Sequence, residues 1–151
     1  MCYQLVLSTD SPEDLSRHDD DARVTFTREL PGVPEEALLA YPHRWFVGSR
    51  HGCSCGFRHL HVSSVELGFG EPVDWFPEEL DDVAATLRLI EVVRGVVARG
   101  ARVDCIDVWS EGGAAALAGT VRVDLARVPD RAFRLMENHR FEFAPGSENT
   151  A

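Results

Sequence analysis

The stretch that decides the fold runs from residue 77 to residue 99 and reads PEELDDVAATLRLIEVVRGVVAR. Its apolar side chains recur at steps of three and four, which is typical of the buried stripe of an amphipathic helix. They are Leu80, Val83, Leu87, Ile90, Val93 and Val97. Pro77 suits the first helical position, Gly100 suits the C-terminal stop, and Trp75 is spaced to contact Leu80 across the start. The sequence therefore predicts one long helix over about 77–99.

Strands are predicted on both sides of this helix, because apolar and polar residues alternate there. The predicted strands are 3–8, 23–30, 44–49 and 62–67 before the helix, and 101–109, 120–125 and 140–143 after it. Strand 140–143 is expected at a sheet edge. In strand 101–109, alternation places Cys105 and Asp107 on one face and Asp104 on the other.

This order of elements is typical of an α+β domain, in which a helix covers one face of a sheet. We predict a single layered α+β domain over residues 1–143, followed by a flexible tail over 144–151. Its sheet is expected to be mixed or largely antiparallel, with five to seven strands. The long helix is expected to pack on one face of that sheet.

The composition restricts the classes of partner. The chain has 151 residues and a formal net charge of -10, and all 15 basic residues are arginines, a usage typical of a GC-rich bacterial genome. An acidic chain lacks the basic surface that binds nucleic acids, and it is repelled by anionic membranes. We therefore expect neither nucleic acid nor membrane as a partner. A basic protein partner is compatible with this charge.

The start of the chain, MCYQLVLSTDSPED, has no basic residues before its short apolar run. It therefore lacks the pattern of a secretory signal, and no segment reaches the roughly 20 apolar residues of a membrane span. We expect a cytoplasmic protein. In that compartment the four cysteines are expected to be reduced thiols.

Residues 52–61, GCSCGFRHLH, form the densest group of potential metal ligands. Thiolates and imidazoles are the ligands that zinc prefers, and this segment supplies four of them. The candidate metal site consists of Cys53, Cys55, His59 and His61, and zinc is the expected metal.

The backbone at Gly56 and Phe57 decides whether these four side chains can meet. A two-residue hairpin turn there would place the thiols and the imidazoles on opposite faces of the two strands. A longer or bulged turn would allow them to converge. In the first case the segment is structural, and in the second a metal site becomes feasible.

Two other classes of function stay open from the sequence. Arg50, His51 and Arg58 lie near the cysteines in sequence and are expected to stabilise a thiolate, which favours a thiol-dependent enzyme or another small-molecule enzyme. The alternative is a non-enzymatic interaction module, of the immunity or accessory type, that binds a basic protein through its acidic surface.

Overall fold

The computed structural model describes residues 2–109 and 117–146 of the chain. In this part of the chain there is one α-helix, α1 (Leu80–Ala98), and eight strands. The strands are β1 (Tyr3–Thr9), β2 (Thr25–Thr27), β3 (His43–Gly48), β4 (His59–Leu60), β5 (Val103–Trp109), β6 (Gly119–Asp124), β7 (Leu135–Met136) and β8 (His139–Ala144).

Six strands form a mixed sheet in the order β2-β3-β1-β5-β8-β6. Neighbouring strands are antiparallel except β8 and β6, which are parallel. The short strands β4 and β7 form a second, parallel sheet. The predicted α+β fold, with a mixed sheet of five to seven strands and one long helix, is confirmed. The domain bounds stay a prediction: β8 extends to Ala144, and most of the predicted tail, 147–151, lies outside the described residues.

Helix α1 begins at Leu80, three residues later than Pro77, and covers one face of the six-stranded sheet. Its buried side chains occupy a stripe wider than one heptad seam. They are Val83, Ala85, Thr86, Leu89, Ile90, Val92, Val93, Val96 and Val97. Leu80 was expected in this stripe, but it is the first residue of the helix and is 85% exposed. None of the described helices is long and apolar enough to cross a lipid bilayer.

Strand β5 separates two apolar layers. Val103 and Cys105 face the core beneath α1, whereas Ile106 and Val108 belong to a smaller cluster on the opposite face, where Leu39 covers them. Because side chains alternate along a strand, both faces of β5 are buried at once. This arrangement places β5 at the centre of the domain.

Two strand predictions are wrong. Residues Val62–Leu67 form a 3-10 helix, whose first turn is capped by the His61 side chain accepting a hydrogen bond from the Ser63 N–H at 3.1 Å. A local cap of this kind competes with strand pairing. The second wrong prediction is the edge position of strand 140–143. The corresponding strand, β8, lies between β5 and β6, and β6 forms the sheet edge.

A buried guanidinium ties the loop before α1 to the β4–β7 sheet. Arg58 is 2% exposed, and it binds both carboxylate oxygens of Glu78, at 2.9 and 2.8 Å. Its remaining N–H groups donate to the backbone carbonyls of Gly70, Arg131 and Phe133. Since all five donors of the guanidinium have acceptors, the charge is buried with full compensation.

Candidate functional site

The cysteine-containing loop lies beside the first half of β1. Strand β3 pairs with β1 only over Val6–Thr9, so the edge of β1 is free of β3 near Leu5. Ser54 fills that position: its hydroxyl accepts from the Leu5 N–H at 2.9 Å and donates to the Val47 carbonyl at 2.6 Å. The loop is therefore fixed against β1 by a buried side chain.

Glycines make this loop compact. A Cβ atom on Gly56 would lie 2.5 Å from the Ser49 hydroxyl oxygen, and one on Gly48 would lie 2.9 Å from the Gly52 carbonyl oxygen. Gly52 itself has φ +81°, a conformation that L-residues rarely adopt. Close packing, and not a hairpin turn, is thus the reason for glycine at position 56.

The loop brings three thiols together. Cys53 and Cys55 flank Ser54, and Cys2 directly precedes β1; the Cys55 thiol interacts with both Cys53 and Cys2, and all three residues are partly exposed. We call them the thiol cluster. Burial raises the pKa of the Cys55 thiol to about 11, and the neighbouring thiols of Cys53 and Cys2 add to that rise, whereas a hydrogen bond from the backbone of Tyr3 opposes it. Cys55 is therefore the central member and is protonated at neutral pH.

The arginines near the cluster in sequence bind carboxylates in the structure. Arg50 pairs with Asp82 at 3.0 Å, and Arg58 pairs with Glu78. The expectation that these cations lower the pKa of the neighbouring thiols is wrong for Cys55, whose pKa is raised. Burial is the largest cause of that rise, and both guanidiniums have carboxylate partners on or just before α1.

His59 is buried and uses both of its ring nitrogens. Nδ1 lies 2.8 Å from Asp107 Oδ2, and Nε2 lies 2.6 Å from the Ser54 carbonyl oxygen. Because a carbonyl oxygen only accepts, Nε2 carries a proton. The Tyr3 ring stacks on the imidazole at 3.8 Å between centroids. In this arrangement neither nitrogen offers a lone pair to a metal.

The charge state of His59 depends on its carboxylate partner. Burial alone would lower the pKa of His59, but Asp107 outweighs burial and raises it. Burial raises the pKa of Asp107, and the interaction with His59 partly opposes that rise. Oδ1 of Asp107 has no hydrogen-bond partner among the described residues. The pair therefore holds its protons to higher pH than the two free side chains would.

The predicted ligand His61 lies at the surface. Its Nδ1 lies 2.9 Å from the Ser63 hydroxyl, and its Nε2 lies 3.8 Å from Glu137 Oε1. Neither predicted hairpin geometry occurs, because Ser54–Gly56 forms a 3-10 turn and β4 pairs with β7 instead of with the cysteine segment.

The structure thus places Cys53 and Cys55 together but not the four predicted ligands as a set. Within residues 2–109 and 117–146, no group of three or more His, Cys, Asp or Glu side chains is placed to hold a metal ion. Binding of zinc by Cys53, Cys55, His59 and His61 remains a prediction.

Several residues of this site were missed by sequence reasoning. Tyr3 donates its hydroxyl to Glu137 Oε1 at 3.2 Å, and burial followed by the Glu137 charge raises the pKa of Tyr3. The sequence contained a signal for the position of Asp107, because strand alternation places its side chain on the same face of the strand as Cys105. Cys2 and Glu137 had none, since only the tertiary fold brings them to the loop.

The site therefore combines three partly exposed thiols with a buried histidine–carboxylate pair. Neighbouring thiols can form a disulfide when an external disulfide accepts the two electrons that they lose. The His59–Asp107 pair fixes the Ser54 carbonyl and hence the turn that carries Cys55. Comparison of the chain with protein-family models, with curated proteins and with solved structures found no match.

Proposed function

We propose that the protein is a dithiol–disulfide protein, in which Cys53 and Cys55 exchange two electrons with the disulfide of a low-molecular-weight thiol. The observation that supports it is that Cys53 and Cys55 flank Ser54 in one 3-10 turn and are partly exposed, and that the Cys55 thiol interacts with both Cys53 and Cys2. In this scheme Cys2 is a second partner for Cys55. All three are accessible enough for a small reagent to reach, whereas Cys105 is buried in the core.

The reaction follows ordinary thiol–disulfide exchange. Cys53 loses its proton and attacks one sulfur of the small disulfide, which releases one thiol and leaves a mixed disulfide on the protein. Cys55 then loses its proton and attacks the Cys53 sulfur, which releases the second thiol. The protein loses two protons and two electrons to form one intramolecular disulfide, and the small disulfide is reduced to two thiols.

The raised pKa of Cys55 makes the second step slow at neutral pH. Only the thiolate attacks, and a thiol whose pKa is about 11 is almost wholly protonated at pH 7. The protein therefore passes through a long-lived mixed disulfide. A cytoplasmic location, as expected from the sequence, would keep the cluster reduced at rest.

The test uses 2-hydroxyethyl disulfide as the oxidant and peptide mapping by mass spectrometry as the readout. We expect one intramolecular disulfide joining Cys55 to Cys53, and a Cys53→Ser variant that joins Cys55 to Cys2 instead. Cys55→Ser should stop at the mixed disulfide, because it lacks the thiol that displaces the second product.

The matched control is Cys105→Ala, which removes the buried thiol and should leave the exchange unchanged. The proposal fails if the wild-type protein accumulates only mixed disulfides, stays fully reduced, or forms disulfides only between two molecules. Circular dichroism of each variant establishes that the fold is retained during the measurement.

A further inference from the structure

A second feature lies away from the thiol cluster, on the loop that leads into α1. Trp75 is 72% exposed and Leu80 is 85% exposed, and Val73 is also exposed. Large apolar residues that are exposed together are uncommon on a monomer and mark interaction sites. The predicted contact between Trp75 and Leu80 would have hidden both. We call Val73, Trp75 and Leu80 the apolar patch.

The apolar patch rests on a rigid base. Glu78, between Trp75 and Leu80 in sequence, is fixed by Arg58 at 2.8 Å and by Arg134 at 3.4 Å. The Arg134 guanidinium also lies 5.5 Å from the Phe76 ring centroid. The loop that carries the apolar patch is therefore fixed at Glu78 and Phe76, and the Trp75 ring contacts the Phe76 ring edge-on at 6.5 Å between centroids.

A shallow cavity adjoins the apolar patch. It has a volume of about 300 Å³, and Pro72, Val73, Pro77 and Leu80 form its apolar wall, with Asp74 and Glu78 beside them. Pockets that hold ligand groups begin at about this volume. The cavity is suited to one large apolar side chain of a partner, and Trp75 directly follows Asp74 of its wall in sequence.

Carboxylates surround the apolar patch. Glu71, Asp74, Glu79 and Asp81 are exposed. Arg131 lies 3.7 Å from Glu71, and Arg50 lies 3.4 and 3.8 Å from Glu79 and Asp81, so two cations lie beside three of the four exposed carboxylates. The whole chain carries a net charge of -10. Charge complementarity therefore favours a partner with arginine or lysine around an apolar anchor.

We propose that the apolar patch and its carboxylates form a docking surface for a basic protein segment that inserts one large apolar side chain beside Trp75. Tryptophan is among the residues that most often dominate binding energy at interfaces. The carboxylates steer the basic segment and fix its orientation. This surface does not involve the thiol cluster, so the two proposals are independent.

The test is selection from a random peptide display library on the wild-type protein. Counter-selection uses the double variant Trp75→Ala, Leu80→Ser, which should fold normally because both side chains are exposed. We expect peptides rich in arginine and lysine with a large apolar residue, and a Kd at least tenfold weaker for the double variant. Glu79→Gln with Asp81→Asn should weaken binding and reduce its salt dependence.

Leu38→Ser is the matched control, since Leu38 is an exposed apolar residue outside the patch, and it should leave the Kd unchanged. Binding should also persist in the Cys53→Ser, Cys55→Ser variant. Peptides without basic residues, or peptides that bind the double variant equally well, would overturn the proposal. So would a dimer in size-exclusion chromatography that the double variant abolishes, because the occupant would then be a second copy of the chain.

Discussion

The raised pKa of Cys55 gives the sharpest prediction, which concerns its rate of alkylation by iodoacetamide. Between the ordinary thiol value of 9.0 and about 11, the acid dissociation constant falls by a factor of about 100. The thiolate fraction at pH 7 falls by the same factor. A more basic thiolate is intrinsically more nucleophilic, with a Brønsted coefficient of about 0.4–0.5. The rate constant of the Cys55 thiolate is therefore higher by a factor of about 6–10, which partly offsets its lower population. Cys55 should therefore react about 10- to 20-fold more slowly than an ordinary thiol.

The assay measures the alkylated fraction of the Cys55 peptide by mass spectrometry over time, at a series of pH values. The same peptide in urea-unfolded protein is the reference for an ordinary thiol. We expect the rate in the folded protein to increase about tenfold per pH unit up to pH about 11. The unfolded reference should level off about two pH units earlier.

A Cys53→Ser variant separates the two causes of the raised pKa. Replacing the neighbouring thiol removes its contribution but leaves the burial of Cys55, so the folded protein should react faster than wild type and still more slowly than the unfolded reference. If the folded rate of Cys55 levels off at or below pH 9, or equals the unfolded rate at pH 7, the reasoning from burial is refuted. Circular dichroism at each pH checks that the chain stays folded.

Three further predictions concern stability and ligands. Arg58→Met leaves Glu78 buried without its bidentate partner and should lower the free energy of unfolding in urea by about 3–5 kcal/mol. A loss below about 1 kcal/mol would contradict this. Arg50→Met, at the partly exposed ion pairs with Asp82 and Glu79, should have a smaller effect. Asp107→Asn should bring the pKa of His59 below its ordinary value of 6.5, measured by NMR titration, because burial then acts without the carboxylate. In the wild type, the raised pKa of His59 means that its contribution to stability is present below pH 6.5 and is lost as pH rises through the folded pKa. In the Asp107→Asn variant, stability should instead increase as pH rises through 6.5. If the urea midpoint has the same pH dependence in both proteins, the pairing of His59 with Asp107 is refuted. Elemental analysis of protein purified without added metal should show zinc at one atom per chain if Cys53, Cys55, His59 and His61 form a metal site, and substoichiometric zinc, iron, nickel and copper would contradict it.

The local elements were predictable from sequence because their signals repeat along the chain. The three- and four-residue steps of residues 83–97 predict α1, and alternation in 101–109 correctly separates Cys105 and Asp107 from Asp104. Both patterns arise from backbone geometry that each segment imposes on itself. Leu80 shows the limit of the helical pattern: it has the correct spacing, but it is the first residue of α1 and stays exposed.

The composition of the site also came from sequence, but its assembly did not. The segment GCSCGFRHLH was the candidate site in the sequence, and its Cys55 and His59 also belong to the site in the structure. The tertiary fold decided that His59 pairs with Asp107, 48 residues later, and that Cys2 joins the cysteine loop. Pairings over such distances depend on strand order and on which groups are desolvated together, and neither quantity is encoded in a local pattern. The sequence thus determined the long helix, the six strands of the main sheet and the reactive groups of the protein. The tertiary structure alone decided the strand order, the short strands β4 and β7, and which reactive groups lie beside one another.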